Sequence, residues 1–366
     1  MAESKTTRRD FIQGRSAVEM LGRLAFRMPN REVADAPTVD QDAARPYLLQ
    51  LARRAMACEF EVCLPARQSP SAAKAAVDAL DLVEELESRM TIYSDDSQMS
   101  RINREASGRP VPAEAWLFAL VQQAVRLHAA TGGAFDITSG PLSKVWGFFR
   151  RQGRMPDDAQ LADTLGRVGS QWIHLNETSG TIRFTKPGVE INLGGIGKGY
   201  ALDRCRRLLV EAGVDNFLLH GGQSSVLAHG WRTAGRRGGW TVAVRHPLRP
   251  ERRLLEIRLE NRALGTSGSG TQCFTHWGRC YGHILDPRTG QPADGVLSST
   301  VVAPTAALAD ALATAFYVMG VDKARDYCDA DPRLGAVIVV PGPHDGSVNV
   351  HSIGLDDDQW TRVEDR

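Results

Sequence analysis

The chain has 366 residues, 44 Lys and Arg against 43 Asp and Glu, a formal net charge of +1 and 42% hydrophobic residues. That length allows one large or two ordinary domains with a sizeable core. The near-balanced charge, with basic residues scattered and never interleaved with aromatics, excludes a nucleic-acid footprint, and no stretch is long and apolar enough to span a bilayer.

The segment Thr7-Arg-Arg-Asp-Phe-Ile12 is similar to a twin-arginine export signature, but Arg15, Glu19, Arg23 and Arg27 interrupt the apolar segment that should follow. The expectation is a cytoplasmic protein, with export on a degenerate leader as the alternative. Residues 1–45 read as a polar leader outside the core, and residues 46–366 as one folded domain. The six cysteines, Cys58, Cys63, Cys205, Cys273, Cys280 and Cys328, form no CxxC pair and read as buried free thiols.

Tyr47 to Leu64 reads as strands broken near Met56-Ala-Cys58. Ser69-Pro70 is a helix start, after which Ala73, Ala76, Val77, Leu80, Val83, Leu86 and Met90 make one apolar face. Tyr93 to Asn103 reads as a polar loop. Ala113 to Ala130 reads as a helix with Leu117, Leu120, Val121, Ala124 and Leu127 on one side, stopping at Gly132-Gly133. Ala134 to Leu142 reads as an extended run ending at a Gly-Pro break, and Arg150 to Asp163 as charged and irregular. A hairpin is expected from Trp172–Leu175 and Thr181–Phe184.

The hairpin leads into Val189-Glu-Ile-Asn-Leu-Gly-Gly-Ile-Gly-Lys-Gly-Tyr-Ala-Leu-Asp203. Its first part alternates like a strand, its middle is glycine-rich, and Ala201, Cys205, Leu208, Leu209 and Ala212 follow at helical spacing. Such a turn offers backbone N–H groups and a helix N-terminus to an anion, commonly phosphate. An equally good reading is that the glycines let a helix pack closely on a sheet. The stretch is neither a P-loop nor a GxGxxG fingerprint.

Further on, Phe217–Leu219, Ser225–Leu227, Trp240–Val244 with Leu254–Leu259, and Ser299–Ala303 read as strands, while Val337–Val340 and Val348–Ile353 read as edge strands. Ala306–Met319 reads as an alanine-rich helix in which Asp310 and Thr314 share one face, and an acid on so apolar a helix needs a partner. Hairpin-like pairs outnumber βαβ units. The fold class expected is therefore mixed α/β (α+β), largely antiparallel sheets with packed helices.

Seven further blocks occur in order: Leu86-Glu-Ser-Arg-Met-Thr-Ile-Tyr93 with Ser97 and Asn103; Gly133-Ala-Phe-Asp-Ile-Thr-Ser-Gly-Pro-Leu142 with Trp146-Gly-Phe148; Asn192-Leu-Gly-Gly-Ile-Gly-Lys-Gly-Tyr-Ala201; His220-Gly-Gly222; Thr266-Ser-Gly268; His283-Ile-Leu-Asp-Pro-Arg-Thr-Gly290; and Ala309-Asp-Ala-Leu-Ala-Thr-Ala315. With these, the chain from about Met56 to Gly320 resembles the ApbE family of FAD:protein FMN transferases. The resemblance implies a Mg2+-dependent enzyme that binds FAD and cleaves its pyrophosphate. It attaches FMN through a phosphodiester to a Thr or Ser hydroxyl of a target flavoprotein, and AMP leaves. It also implies an FAD cleft between the glycine stretch and the Asp310 helix.

Carried over by position, the resemblance implies metal ligands at the Gly195 carbonyl, Asp310 and Thr314, with Lys198 beside the phosphates. Met56, Tyr93, the run Ala134, Phe135 and Asp136, and the backbone of Ile284 fall on cofactor-contacting positions. Asn192 stands where the family commonly has aspartate, so a charge is missing while hydrogen bonding survives. His283 is the candidate for drawing the proton from the acceptor hydroxyl. Other departures are Gly197 for alanine, Ala57 for glycine, and the segment holding Cys273, His276 and Cys280. They bear on affinity and target choice more than on reaction type. Two alternatives remain, an FAD pyrophosphatase releasing FMN and AMP, and a flavin-binding protein without turnover.

Overall fold

Met56 and Ala57 both have positive φ, 49° and 59°, the backbone of a two-residue hairpin turn. They join β1 (Leu48–Ala55) to β2 (Cys58–Pro65) in a register running from Leu48↔Pro65 to Ala55↔Cys58. The computed structural model describes residues 47–65, 70–232, 238–268 and 273–363, so the expected leader lies outside the described residues. α1 (Pro70–Met90) buries Ala72, Ala75, Ala76, Ala79, Leu80, Val83, Leu86 and Met90. Ala73 and Val77 are only half-buried, because the inward stripe is rotated towards the neighbouring alanines.

The polar loop expected over Tyr93–Asn103 contains a helix. Ser97 Oγ accepts from Ser100 N at 2.9 Å and caps α2 (Gln98–Glu105), which turns only Met99 and Ile102 inward. Two buried residues in so polar a stretch give too little periodicity to read. β3 (Val111–Pro112) and α3 (Ala115–Ala130) follow. The run Ala134–Leu142 is not extended. It is a series of turns entering α4 (Gly140–Val145), where Pro141 occupies the first helical turn instead of breaking the chain. The segment read as irregular holds α5 (Asp158–Leu165), capped by Asp157, whose Oδ1 accepts from Gln160 N at 2.7 Å.

β4 (Ile173–Asn176) and β5 (Thr181–Phe184) form the expected hairpin and join β3 in a three-stranded sheet. Val189–Asn192, expected as a strand, has no ladder partner. Asn103 instead bonds both backbone groups of Ile191 at 2.8 Å each, and Asn192 N donates to Ile137 O at 2.7 Å. The glycine turn then opens α6 (Gly197–Glu211), which buries Ala201, Leu202, Cys205 and Leu209.

The remaining elements are β6 (Phe217–Gly221), β7 (Ser225–His229), β8 (Trp240–His246), β9 (Arg249–Leu259), β10 (Ala263–Gly268), β11 (Cys273–His276), β12 (Arg279–Gly282), β13 (Ser298–Ala303), α7 (Ala306–Met319), α8 (Val321–Asp329), β14 (Gly335–Pro341), β15 (Val348–Ile353) and β16 (Trp360–Arg362). An eight-stranded sheet runs β1-β2-β6-β7-β10-β13-β14-β15, antiparallel at every pairing. This bears out the expected mixed, largely antiparallel fold. Within it β14 is interior, contrary to the edge position expected for Val337–Val340, and β15 takes the edge. Its uninterrupted buried run Gly335–Val339 fits a strand covered on both faces.

One face of this sheet carries α1, α6 and α7 over the larger core. The other is covered by a sheet of order β16-β9-β8, through Cys63, Val226, Trp240, Leu255, Ile257, Leu264 and Val337. Cys63, Cys205 and Cys328 are buried as free thiols, Cys58 is half-buried, and Cys273 and Cys280 are exposed on β11 and β12, contrary to expectation. No described helix is long and apolar enough to cross a membrane.

Candidate active site

The site is built where α6 crosses α7. A Cβ on Gly199 would fall 2.1 Å from Ala306 O, so only glycine lets the two helix backbones approach this closely. The same close approach lets Gly199 N donate to Asp310 Oδ2 at 2.7 Å, and Ser225 Oγ donates to that oxygen at 3.0 Å. Asp310 is 8% exposed. Burial pushes its carboxyl up to about 6, against the pull of the nearby Lys198 ammonium and of its bonds from Ser225 and Gly199. Among the described residues no hydrogen bond reaches Oδ1.

One turn further along α7, Thr314 Oγ1 lies 3.0 Å from Ser267 Oγ on β10. A Cβ on Gly195 would sit 4.0 Å from Thr314 Oγ1 and 3.2 Å from Phe135 Cε2. The glycine turn therefore touches both α7 and the Ala134–Asp136 run. Lys198 Nζ donates to Ser224 Oγ at 2.7 Å. The turn carrying Met56, half-buried, closes this end, since Cys58 feels Lys198 and Asp310 electrostatically and a Cβ on Gly222 would lie 3.1 Å from its sulfur.

Ala134 and Phe135 are buried. Asp136 Oδ1 accepts from Thr138 N at 2.8 Å, Thr138 Oγ1 at 2.7 Å and Ser170 Oγ at 2.7 Å, and Oδ2 from Ser170 N at 3.0 Å. His128 Nδ1 lies 3.0 Å from Oδ2. Burial alone would raise the Asp136 carboxyl, but the groups of His128, Ser170 and Thr138 hold it below its usual value. The same contact raises the His128 imidazole. The Asp136 side chain is thus fully engaged inside the protein. Asn192 Oδ1 accepts from Gly194 N at 2.9 Å, a local turn that aspartate would make equally well.

His283 belongs to a second, aromatic cluster. Trp146 stacks on Phe148 and Tyr281, Phe274 stacks on Tyr281 and tilts against Trp146 and Phe148, and His283 meets Phe148 edge-on with centroids 6.5 Å apart. Trp146 Nε1 donates to Gly290 O at 2.7 Å, which ties α4 to the loop after His283. Tyr93 is 74% exposed and stacks on Phe149 at 5.1 Å. Ile284 is buried, its carbonyl accepting from Ala293 N at 2.9 Å. A cavity of about 360 Å³ opens beside Tyr281 and Gly282, lined also by Met155, Gln291 and Asp294.

Among the described residues there is no group of three or more His, Cys, Asp or Glu fit to hold a metal. The donors that do converge are one carboxylate, one hydroxyl and the backbone of a glycine turn, a hard oxygen set suited to Mg2+ and ill suited to zinc. Sequence reasoning missed Ser224, Ser225 and Asp203. Ser225 begins a strand and Ser224 ends the turn before it, and neither carries a signal beyond that. Ser267 lies within the Thr266-Ser-Gly268 block, so motif order does bring its hydroxyl into view.

The ApbE family profile matches residues 56–338. The FAD:protein FMN transferase of Haemophilus influenzae is 31% identical over 267 residues, covering 71% of this chain and 76% of the relative. That of Vibrio cholerae is 32% identical over 254 residues, covering 68% and 75%. The crystal structure of the ApbE protein from Thermotoga maritima superposes with a TM-score of 0.75 at 28% identity, over 83% of this chain and 96% of the other. The flavin transferase ApbE from Vibrio cholerae gives 0.71 at 25%, over 84% and 97%. The helices around a glycine turn and the antiparallel sheet beneath them are thus a shared architecture, and this chain belongs to the ApbE family.

Proposed function

We propose that this protein is an FAD:protein FMN transferase, which moves the FMN half of FAD to a Thr or Ser hydroxyl of a flavoprotein and releases AMP. The observation that carries the reading is the meeting of Gly195, Asp310, Thr314 and Lys198 at one helix crossing. The Gly195 carbonyl, the open Oδ1 of Asp310 and Thr314 Oγ1 would hold Mg2+, which neutralises pyrophosphate charge when bound. Lys198 adds a positive charge on the same side. The low exposure of Asp310 supports this role, because a buried carboxylate without a paired cation is held at a cost that a bound ion offsets.

The flavin would rest against Met56, Tyr93 and the backbone of Ala134, Phe135, Asp136 and Ile284, with Asn192 beside it. His283 would take the proton from the acceptor hydroxyl as its oxygen bonds to the FMN phosphorus and the bond to AMP breaks. The test is mass spectrometry of a flavoprotein incubated with this protein, FAD and Mg2+. A gain of one FMN on a Thr or Ser is the expected result. AMP release with no gain on the acceptor would instead establish an FAD pyrophosphatase.

A further inference from the structure

Asp203 is assigned no contact with cation, flavin or acceptor, yet it is an acid drawn into the protein at the same helix crossing. It lies one turn beyond Gly199 on α6, half-buried, and burial pushes its carboxyl up to about 6 against the bonds it accepts. Those bonds come from the other helix. Oδ1 accepts from Ala306 N at 2.8 Å and Oδ2 from Ala307 N at 2.9 Å, the first two amides of α7.

A helix leaves its first four N–H groups without intrahelical partners. The next, Leu308 N, is closed by Thr305, whose Oγ1 accepts from it at 3.4 Å, and Ala309 N begins the regular ladder by donating to the Thr305 carbonyl at 3.1 Å. Two of the N-terminal amides of α7 are therefore closed by α6 and a third by its own cap residue. Asp310 follows Ala306 by about one turn and Thr314 follows by another. α6 thus grips α7 at Gly199, against Asp310 and the Ala306 carbonyl, and at Asp203, against the helix end.

We propose that Asp203 is a positioning residue of the cation site, a cap supplied from the neighbouring helix that sets the depth and rotation of α7. In this way it holds Asp310 Oδ1 and Thr314 Oγ1 towards the Gly195 turn. The inference rests on the reading of those three groups as cation ligands. A slip of one residue along α7 would move its side chains by about 1.5 Å and turn them by about 100°, more than an octahedral ion tolerates.

The experiment uses the full chain and Mn2+ as probe, with binding followed by the electron paramagnetic resonance of the free ion. Asp203→Ala is expected to weaken Mn2+ binding by roughly tenfold or more, as losses of ligand-orienting partners do, at temperatures where its circular dichroism matches the parent. Asp203→Asn, which keeps one acceptor oxygen, should fall in between. Ile257→Val, in the core between the two sheets, serves as a control that lowers melting temperature without touching α7, and its Mn2+ affinity should stay at the parent value. In FMN transfer the Asp203 variants should need more Mg2+ for half-saturation and recover kcat when saturated. Parent-like Mn2+ affinity in both Asp203 variants, with only a lower melting temperature, would reduce Asp203 to a structural cap and overturn the proposal. Parent-like affinity in Asp310→Ala would overturn the cation assignment itself, a separate failure.

Discussion

At the α6–α7 crossing, Asp310 is 8% exposed and held by a backbone amide and a serine hydroxyl on separate elements, while the backbones behind it are too close for any side chain on Gly199. On the aromatic side, Tyr93 is 74% exposed and rests on one stacked ring, and Trp277 at the β11–β12 turn is 95% exposed against His276. The first region is determined by backbone packing, where a shift of about 1 Å takes the 2.7 Å bond from Gly199 N out of hydrogen-bond range. The second is a set of ring faces that can slide by more than that at little cost. Phosphoryl transfer needs rigidity where charge is neutralised and in-line geometry is set, whereas a protein acceptor needs an open approach.

The largest effect expected from this contrast is at Asp310. Asp310→Ala should lower FMN transfer by roughly a thousandfold with circular dichroism unchanged, and a mutant of parent activity would remove the rigid region from the chemistry. Next comes Gly199→Ala. Its methyl would meet the Ala306 carbonyl at 2.1 Å, so denaturant unfolding should show a loss of about 1–3 kcal/mol; an unaffected midpoint would mean that the helices separate easily.

Tyr93→Ala sharpens the other side. Losing one exposed ring should raise the KM for FAD by roughly threefold to tenfold, the equivalent of ~0.5–1.5 kcal/mol, and leave the melting temperature where it was. A large drop in melting temperature would show that the aromatic wall is structural. The smallest effect is expected from the His128–Asp136 pair behind Phe135. His128 is raised from 6.5 and Asp136 lowered from 3.8. The histidine's contribution is complete below about 6.5 and fades as pH rises through its raised value, and the aspartate's is complete above about 3.8 and fades as pH falls through its lowered one. Melting curves of His128→Gln against the parent should differ most between these limits and converge at alkaline pH; a constant difference across pH 5 to 9 would discard the pair as a titrating unit.

Much of the architecture was legible. The turn at Met56-Ala57, the apolar stripe of α1, the β4–β5 hairpin and the helix over Ala306–Met319 follow from local periodicity and turn chemistry. α2 and α5 did not, because each buries two residues and its cap is a single polar side chain. Val189–Asn192 alternates like a strand but meets an asparagine side chain where a ladder would be, and local pattern cannot distinguish the two partners. Gly195, Asp310 and Thr314 could be named from motif order, while Ser225 and Asp203 could not, since a serine at a strand end and an acid on a helix are unremarkable until their partners are known.

By itself the sequence determined the long helices and most of the paired strands, the antiparallel character of the sheets and the family. Only the tertiary structure decided which Asp310 oxygen is occupied and which is open, that β14 lies inside the sheet, and that α6 caps α7. The reason is distance along the chain. Gly199 and Asp310 are 111 positions apart, and a bond between them leaves no period, spacing or composition from which either end could be inferred.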